Sequence, residues 1–150
     1  MQDITNFMKM TIKGYSKNEG LARMCVSAFA SQLDPTIEEI NDIKAAVSEA
    51  VTNCIVHAYP DKIGDIFIEL RIMGENTLYI KIKDKGRGIP DVKQAMEPLF
   101  TTSPETERSG LGFSVMESFM DKIKVNSKVN SGTSVIMTKR LNGRNEQTDR

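Results

Sequence analysis

The strongest constraint on the fold is the alternation of apolar and polar residues between Ile66 and Ile82. Apolar residues occupy every second position on both sides of Gly74-Glu75-Asn76, a pattern typical of two antiparallel strands joined by a tight turn. The same alternation predicts an N-terminal strand and a second hairpin, with strands over 7–13, 123–129 and 133–139.

Apolar residues at helical spacing predict two long helices ahead of this hairpin. The first is expected to start with a capping box of Ser16 and Glu19. The second is expected to start with a capping box of Thr36 and Glu39 and to reach about His57. The stripe of the first helix that is predicted to face the core consists of Leu21, Met24, Cys25, Ala28, Phe29 and Leu33.

Regular periodicity is lost between Ile89 and Ser109, where prolines and hydroxyl residues are frequent. Only a brief helix over 92–96 is expected there, and the segment is interpreted as a lid over a ligand. A third helix is predicted over 110–120, and the polar tail after Leu141 is expected to fray. The elements predict one α+β domain over residues 1–150, a two-layer sandwich whose mixed, mainly antiparallel sheet has helices on one face and a largely open second face.

The composition argues against several classes of protein. Lys plus Arg and Asp plus Glu each total 20, so the formal charge is zero and no overall positive field would attract nucleic acid. No apolar run approaches the ~20 residues that span a bilayer, and no signal segment is present at the N-terminus, so a cytoplasmic location is expected. Cys25 and Cys54 lie in apolar helical patterns and are interpreted as reduced core residues.

The second predicted helix carries a carboxylate and a carboxamide on one face, Glu49 and Asn53. A carboxylate can accept the proton of an attacking hydroxyl group, and an amide oxygen is a suitable ligand for Mg²⁺. Such a pair is more often an ordinary polar stripe. Here the small apolar residues around it, Ala45 to Val47 and Ala50-Val51, are expected to place this face beside a cavity.

Two glycine-containing strings follow. Asp84-Lys85-Gly86-Arg87-Gly88 puts an acceptor for the amino group of a base at the end of a strand, and its glycines would let a flat ligand approach the backbone. Gly110-Leu111-Gly112 precedes the third helix, where free N–H groups and the helix dipole favour phosphate. Each string alone is a weak signal. Val115 replaces the third glycine of a dinucleotide fingerprint and no Gly-Lys-Ser/Thr loop occurs, so a Rossmann site and a P-loop are both excluded. The three strings, taken together and in this order, predict a pocket for Mg-ATP.

These strings resemble the N, G1 and G2 boxes of the GHKL ATPase/kinase superfamily, which shares the ATP-binding (Bergerat) fold of gyrase, Hsp90, MutL and histidine kinases. Over about residues 7–140 the similarity is greatest to the small bacterial anti-sigma serine kinases. Four stretches carry it: Asn18-Glu19 through Ala22-Arg23, Ser48 to Asn53, Pro98 to Thr102, and Glu107 to Phe113.

The catalytic hypothesis gives each part a role. Glu49 directs a hydroxyl group at the γ-phosphoryl group, Asn53 holds Mg²⁺, and Asp84 fixes adenine. The resemblance adds Arg108, which would stabilise charge on the terminal phosphate, and Arg23, which would bind a protein partner. The other nucleotide-binding residues are predicted to be Gly86, Gly88, Gly110, Leu111, Gly112 and, by resemblance, Thr133.

The resemblance implies an anti-sigma factor that is also an ATP-dependent protein-serine kinase. It would sequester a sporulation sigma factor of the sigma-F type, phosphorylate a serine of an anti-anti-sigma protein, and form a homodimer, without binding nucleic acid or a membrane. Alternatives are a kinase acting on a general stress-response sigma factor, a nucleotide-dependent binding module without turnover, and a histidine kinase catalytic domain. Because the only histidine, His57, lies inside the first box, autophosphorylation on histidine is disfavoured. Ser103 stands where the resembling sequences often have lysine, which leaves the charge of the lid open.

Overall fold

The computed structural model describes residues 2–97 and 108–142, without the side chains of 108–111. The first strand is followed by two long helices, a central hairpin, a short helix, a third long helix and a last hairpin. In chain order they are β1 (Ile4–Lys13), α1 (Asn18–Ala30), α2 (Ile37–Asn53), β2 (Asp65–Met73), β3 (Thr77–Asp84), α3 (Val92–Ala95), α4 (Arg108–Phe119), β4 (Lys122–Lys128) and β5 (Gly132–Arg140).

The strands form one five-stranded sheet in the order β1-β2-β3-β5-β4, and every pairing is antiparallel. Both predicted hairpins are present. The last hairpin turns through Asn130 and Gly132, whose φ angles of 65° and 112° lie in the left-handed region that these residue types tolerate best. Strand β1 begins at Ile4 rather than at the predicted Phe7, with a register shift between Ile4 and Asn6. The predicted α+β sandwich is confirmed.

The hydrophobic core lies between the sheet and the helices. On each central strand every second side chain points to the helices, as the alternation predicts. Six of these side chains are at most 2 % exposed, and each such burial contributes roughly 1.5–3 kcal/mol to the free energy of folding. They are Ile66, Ile68, Leu70, Leu78, Ile80 and Ile82.

Helix α1 faces the core with a different stripe from the predicted one. Leu21 and Met24 are 49 % and 63 % exposed, so the predicted stripe is wrong at these positions. Both candidate stripes have helical spacing, and the structure buries the one with smaller side chains, which let α1 approach α2 closely. The buried residues are Ala22, Val26, Phe29 and Ala30.

Of the two predicted capping boxes, one is absent from the structure and the other is present. Helix α1 has Lys17 at its N-cap with no side-chain cap, so the Ser16–Glu19 box is wrong; Glu19 pairs with Arg23 instead, at 3.6 Å. The box at α2 is confirmed, because Thr36 Oγ1 accepts the Glu39 N–H at 3.1 Å and Glu39 Oε1 accepts the Thr36 N–H at 2.9 Å. This reciprocal cap is the stronger of the two predicted helix starts.

Helix α2 ends at Asn53, earlier than predicted, and the chain continues as a single π-helical turn over Cys54–Ala58. Cys54 is buried and Cys25 is half-buried, and both thiols are free. No helix in residues 2–97 or 108–142 combines the length and the apolar character needed to cross a membrane.

Candidate functional site

A cavity of about 370 Å³ lies between helices α2 and α4 and one end of strands β3 and β5. This volume is within the range of sites for small molecules. Its walls are mainly apolar, with a few polar groups that could orient a ligand. Residues from six separate elements or turns meet there, among them Asn53, Cys54, Asp84, Gly88, Phe113 and Thr133.

Asp84 is the buried charged residue of the described core, with 4 % of its surface exposed. Its Oδ1 accepts the N–H groups of Gly86 at 2.9 Å and Thr133 at 3.2 Å, and its Oδ2 accepts the thiol of Cys54 at 3.6 Å. Burial raises the pKa of this carboxyl group, and the hydrogen bonds to the carboxylate oppose that rise. The carboxylate is therefore held in one orientation at the end of β3.

Glu49 and Asn53 occupy successive turns of α2 and both lie against Gly112 of α4. A Cβ atom built on Gly112 would lie 3.3 Å from Glu49 Oε2 and 3.4 Å from Asn53 Nδ2, closer than ordinary van der Waals contact for the first pair. The structure thus brings together the first and third sequence strings. Glycine at 112 keeps the space between these polar groups free of a side chain.

The residues present fit a magnesium-bound triphosphate. Asn53 Nδ2 is buried and has no hydrogen-bond partner among the described residues; a buried donor without a partner is costly, and a phosphate oxygen of a nucleotide could accept from it. Within the described residues no cluster of three or more His, Cys, Asp and Glu side chains could hold a metal ion alone. Magnesium is commonly bound by one or two protein oxygens together with substrate phosphates, which is what the amide oxygen of Asn53 could provide.

The structure gives Gly86 and Gly88 a different reason for being glycine from the predicted one. A Cβ atom on Gly86 would lie 2.2 Å from the carbonyl oxygen of Ala58, and one on Gly88 would lie 2.2 Å from that of Lys128. Gly88 also has a φ of 76°, which favours glycine. Both glycines allow the loop after β3 to pack against neighbouring backbone, and only Gly88 lines the cavity.

The third string lies inside α4 rather than ahead of it. The helix begins at Arg108, so Gly110 belongs to its first turn, where backbone N–H groups still lack intrahelical acceptors, and Gly112 lies at the start of the second turn. The side chains of Arg108 and Leu111 lie outside the described part, as does the central portion of the predicted lid, residues 98–107.

The two remaining predicted residues lie in very different places. Thr133 stands beside Asp84, to which its N–H donates, and its hydroxyl group is 2.7 Å from Ser127 Oγ. Arg23 lies on α1, away from the cavity, with 43 % of its side chain exposed. The structure therefore groups Thr133 with Asp84 and separates Arg23 from the residues of the cavity.

Sequence reasoning missed two polar residues of the cavity wall, Cys54 and Arg87, and left His57 out of the site. Cys54 and His57 belong to the π-helical turn that follows Asn53. Such a turn changes which side chains point inward, and it often marks a functional site. Arg87 lies in the loop after β3. Burial lowers the pKa of His57, and the nearby Arg87 lowers it further. His57 is thus a neutral side chain at pH 7, able to donate and accept one hydrogen bond each.

Residues 17–139 match the histidine kinase-like ATPase domain family. The anti-sigma F factor of Thermoanaerobacter sp. strain X514 is 56 % identical over 137 residues, which are 91 % of this chain and 95 % of that protein. The anti-sigma F factor of Caldanaerobacter subterraneus subsp. tengcongensis is 55 % identical over 143 residues, which are 95 % of this chain and 99 % of that protein.

Solved structures agree in fold. The crystal structure of the RsbU and RsbW domains of a Mycobacterium tuberculosis protein matches with a TM-score of 0.67 at 18 % identity, over 91 % of this chain and 33 % of that one. The histidine kinase domain of the blue-light activated kinase of Erythrobacter litoralis EL346 matches with a TM-score of 0.56 at 20 % identity, over 82 % of this chain and 61 % of that one.

Proposed function

The chain belongs to the histidine kinase-like ATPase domain family and, within it, to the anti-sigma F factors, and from that membership we propose an anti-sigma factor that is also an ATP-dependent protein-serine kinase. One observation of the structure supports the nucleotide site above all. The buried, oriented carboxylate of Asp84 and the amide of Asn53 come from distant parts of the chain and line one cavity, and Glu49 lies one turn of α2 before Asn53, against the same Gly112.

Binding follows from the polarity of these groups. The Asp84 carboxylate would accept the amino group of adenine, with Thr133 beside it, because an ionised carboxylate can only accept hydrogen bonds. The amide oxygen of Asn53 would bind Mg²⁺ of the nucleotide, and the N–H groups of the first turn of α4 would bind phosphate oxygens. Bound Mg-ATP would supply the γ-phosphoryl group.

The chemical step needs a base and charge stabilisation. Glu49 would take the proton of the acceptor serine while the serine oxygen forms a bond to the γ-phosphorus and the bond to the leaving oxygen breaks, giving ADP and phosphoserine. Arg108, at the first residue of α4, would stabilise the charge on the transferred group.

The partners of this proposal are two proteins. A sporulation sigma factor of the sigma-F type would be sequestered, and an anti-anti-sigma protein would supply the serine. Arg23 is proposed to contact the sigma factor, because it lies beside the exposed apolar side chains of Leu21 and Met24, and such a mixture of arginine and apolar surface suits an interface. A homodimer is part of the same proposal.

Glu49→Gln tests kinase activity against passive binding. If Glu49 is the base, the variant is expected to keep Mg-ATP and sigma binding and to lose about 10²–10⁴-fold in transfer of labelled phosphate to the anti-anti-sigma protein. Glu38→Gln, an exposed change in the first turn of the same helix, is the control.

Two outcomes would contradict the proposal. Transfer by the Glu49→Gln variant within about threefold of the unaltered chain would remove Glu49 from the role of base. Absence of transfer by the unaltered chain, with sigma binding that still depends on ATP, would favour a binding module without turnover.

A further inference from the structure

The sheet face opposite the helices, here called the outer face, is strongly basic although the chain as a whole is neutral. Among the residues that the structure describes, it holds ten Lys and Arg residues but only two acidic residues, Asp65 and Glu69. The cationic residues, assigned by strand register and, for Lys85, by contact with Phe67, are Lys9, Lys13, Arg71, Lys81, Lys83, Lys85, Lys122, Lys124, Lys128 and Arg140.

The two carboxylates do not neutralise this face. Asp65 pairs with Lys13 at 2.8 Å and Glu69 pairs with Arg71. No salt bridge in the described part of the chain includes any of the other eight cations. The face therefore keeps a net positive charge that the zero total conceals, and that charge is concentrated on one flat surface.

The antiparallel register spreads these cations over all five strands. One row across the sheet runs Lys9, Glu69, Lys81, Ile136 and Lys124. Adjacent strands lie about 4.8 Å apart, so each row is roughly 20 Å wide. In the next row Phe67 lies beside Lys83, and a shallow depression at this place is lined by four lysines and one carboxylate together with Phe67 and Thr11; the charged residues are Lys9, Glu69, Lys81, Lys83 and Lys85.

Aromatic rings are placed among the cations on three neighbouring strands. Phe7 of β1 is 61 % exposed. The ammonium group of Lys85 lies 5.0 Å from the ring centre of Phe67, and the guanidinium group of Arg71 lies 4.5 Å from that of Tyr79. Rings and guanidinium planes are both surfaces on which nucleic acid bases stack.

We propose that the outer face binds single-stranded nucleic acid with little sequence preference. The abundance of lysine favours phosphate over an acidic protein, because lysine is depleted in protein–protein interfaces. The interleaved aromatic rings favour bases over a simple polyanion. The flat sheet favours a single strand over a duplex, since no described helix or loop rises from this face to enter a groove. This site is separate from the nucleotide cavity, which lies on the helix side of the sheet.

The first test measures salt dependence. Binding of fluorescent oligonucleotides of dT and of U, about 20 nucleotides long, would be followed by anisotropy between about 50 and 200 mM salt. The chain would be saturated with Mg-ATP so that the cavity is occupied throughout. The Lys81→Gln/Lys83→Gln/Lys124→Gln variant is expected to bind at least about tenfold more weakly and to lower the magnitude of the log–log salt slope by about 2, at about 0.7 for each phosphate contact.

The matched control is Lys17→Gln/Lys62→Gln/Lys93→Gln, which removes the same charge from exposed positions outside the outer face. It is expected to bind the oligonucleotides like the unaltered chain. Equal loss in both triple variants would show attraction to overall charge and would overturn the proposal, as would the absence of any loss in the first.

The second test separates nucleic acid from acidic protein. Phe67→Leu/Tyr79→Leu is expected to lower oligonucleotide affinity at least about fivefold while the salt slope stays unchanged, because stacking is lost and charge is not. Phe119→Leu, at a half-buried ring on α4 and therefore on the helix side of the sheet, is the control. Unchanged affinity in the double variant, or competition by polyglutamate as effective as that by the unlabelled oligonucleotide, would overturn the assignment and indicate an acidic protein partner.

Discussion

At the scale of single residues, burial and hydrogen bonds fix the orientation of the Asp84 carboxylate. It accepts two backbone N–H groups and one thiol while buried against the core. We expect Asp84→Asn to weaken ATP binding by about tenfold or more, since a hydrogen bond to a charged group is lost. The preference for ATP over GTP should narrow as well, because an amide can turn its NH₂ group toward the carbonyl of guanine.

Competition between ATP and GTP measures this directly, with the exposed Asp61→Asn change as the control. Equal binding of the two nucleotides by the unaltered chain would remove Asp84 from base recognition. Retention of the full ATP preference by Asp84→Asn would have the same meaning, because the preference would then arise elsewhere in the cavity.

Asn53 provides a second test at this scale, because its side chain lines the cavity and its buried Nδ2 has no partner within the described structure. We expect Asn53→Ala to bind ATP like the unaltered chain when magnesium is chelated, and to lose most of the gain that magnesium brings, since the metal ligand is gone. Calorimetric titration with and without Mg²⁺ measures both values. Asn126→Ala, on the outer face of β4, should keep the full magnesium dependence, and the same result for Asn53→Ala would exclude it as a ligand.

At the scale of elements, the π-helical turn after α2 and the loop after β3 fit closely together. The carbonyl oxygen of Ala58 accepts the Arg87 N–H at 3.1 Å and occupies the space that a side chain at Gly86 would need. Gly86→Ala is therefore expected to lower the free energy of unfolding by about 1–3 kcal/mol, as overpacking against backbone does.

Gly20→Ala is the matched control for that change. Its Cβ atom would meet nothing closer than 3.7 Å, and alanine in the first turn of α1 is favoured over glycine by at most about 0.5–1 kcal/mol, the value for a helix interior. Urea denaturation is thus expected to shift in opposite directions for the two variants. A Gly86→Ala chain as stable as the unaltered one would mean that the loop yields easily and does not fix Asp84.

Sequence patterns predict these elements unequally well. Strict alternation and the reciprocal Thr36–Glu39 box are local signals, so both hairpins and the start of α2 agree with the structure. Helix α1 has apolar residues on two faces, and only contact with α2 decides which face is buried. The π-helical turn has no local signature, so the pattern alone extends α2 as a regular helix past Asn53.

At the scale of the whole molecule, the separation of Arg23 from the cavity makes partner binding and nucleotide binding distinguishable. We expect Arg23→Ala to cost at least ~2 kcal/mol of sigma binding, the scale of an interface hot spot, with ATP affinity unchanged. Both would be measured on the same preparation. Lys17→Ala, an exposed change at the N-cap of the same helix, is the control, and unchanged sigma affinity in Arg23→Ala would return that residue to the solvated surface.

The candidate site could be predicted as a set of residues but not as a geometry. Asp84, Asn53 and Thr133 carry recognisable strings or positions, and all three line the cavity. Gly112 lies against both Glu49 and Asn53 because of the way α4 crosses α2. No local sequence pattern encodes that crossing. Net charge has a related limit, because a total contains no information about which side of a sheet each lysine takes.

The last described residues limit how far the chain could be shortened. Leu141 is 1 % exposed and its N–H donates to the Asn76 carbonyl oxygen at 2.8 Å, while the Asn142 N–H donates at 2.8 Å to Glu39 Oε2. The side chain that caps α2 therefore also fastens the end of the last strand. A chain ending at Asn142 keeps every contact described above, whereas one ending at Arg140 opens a hole in the core and leaves Glu39 without its second donor.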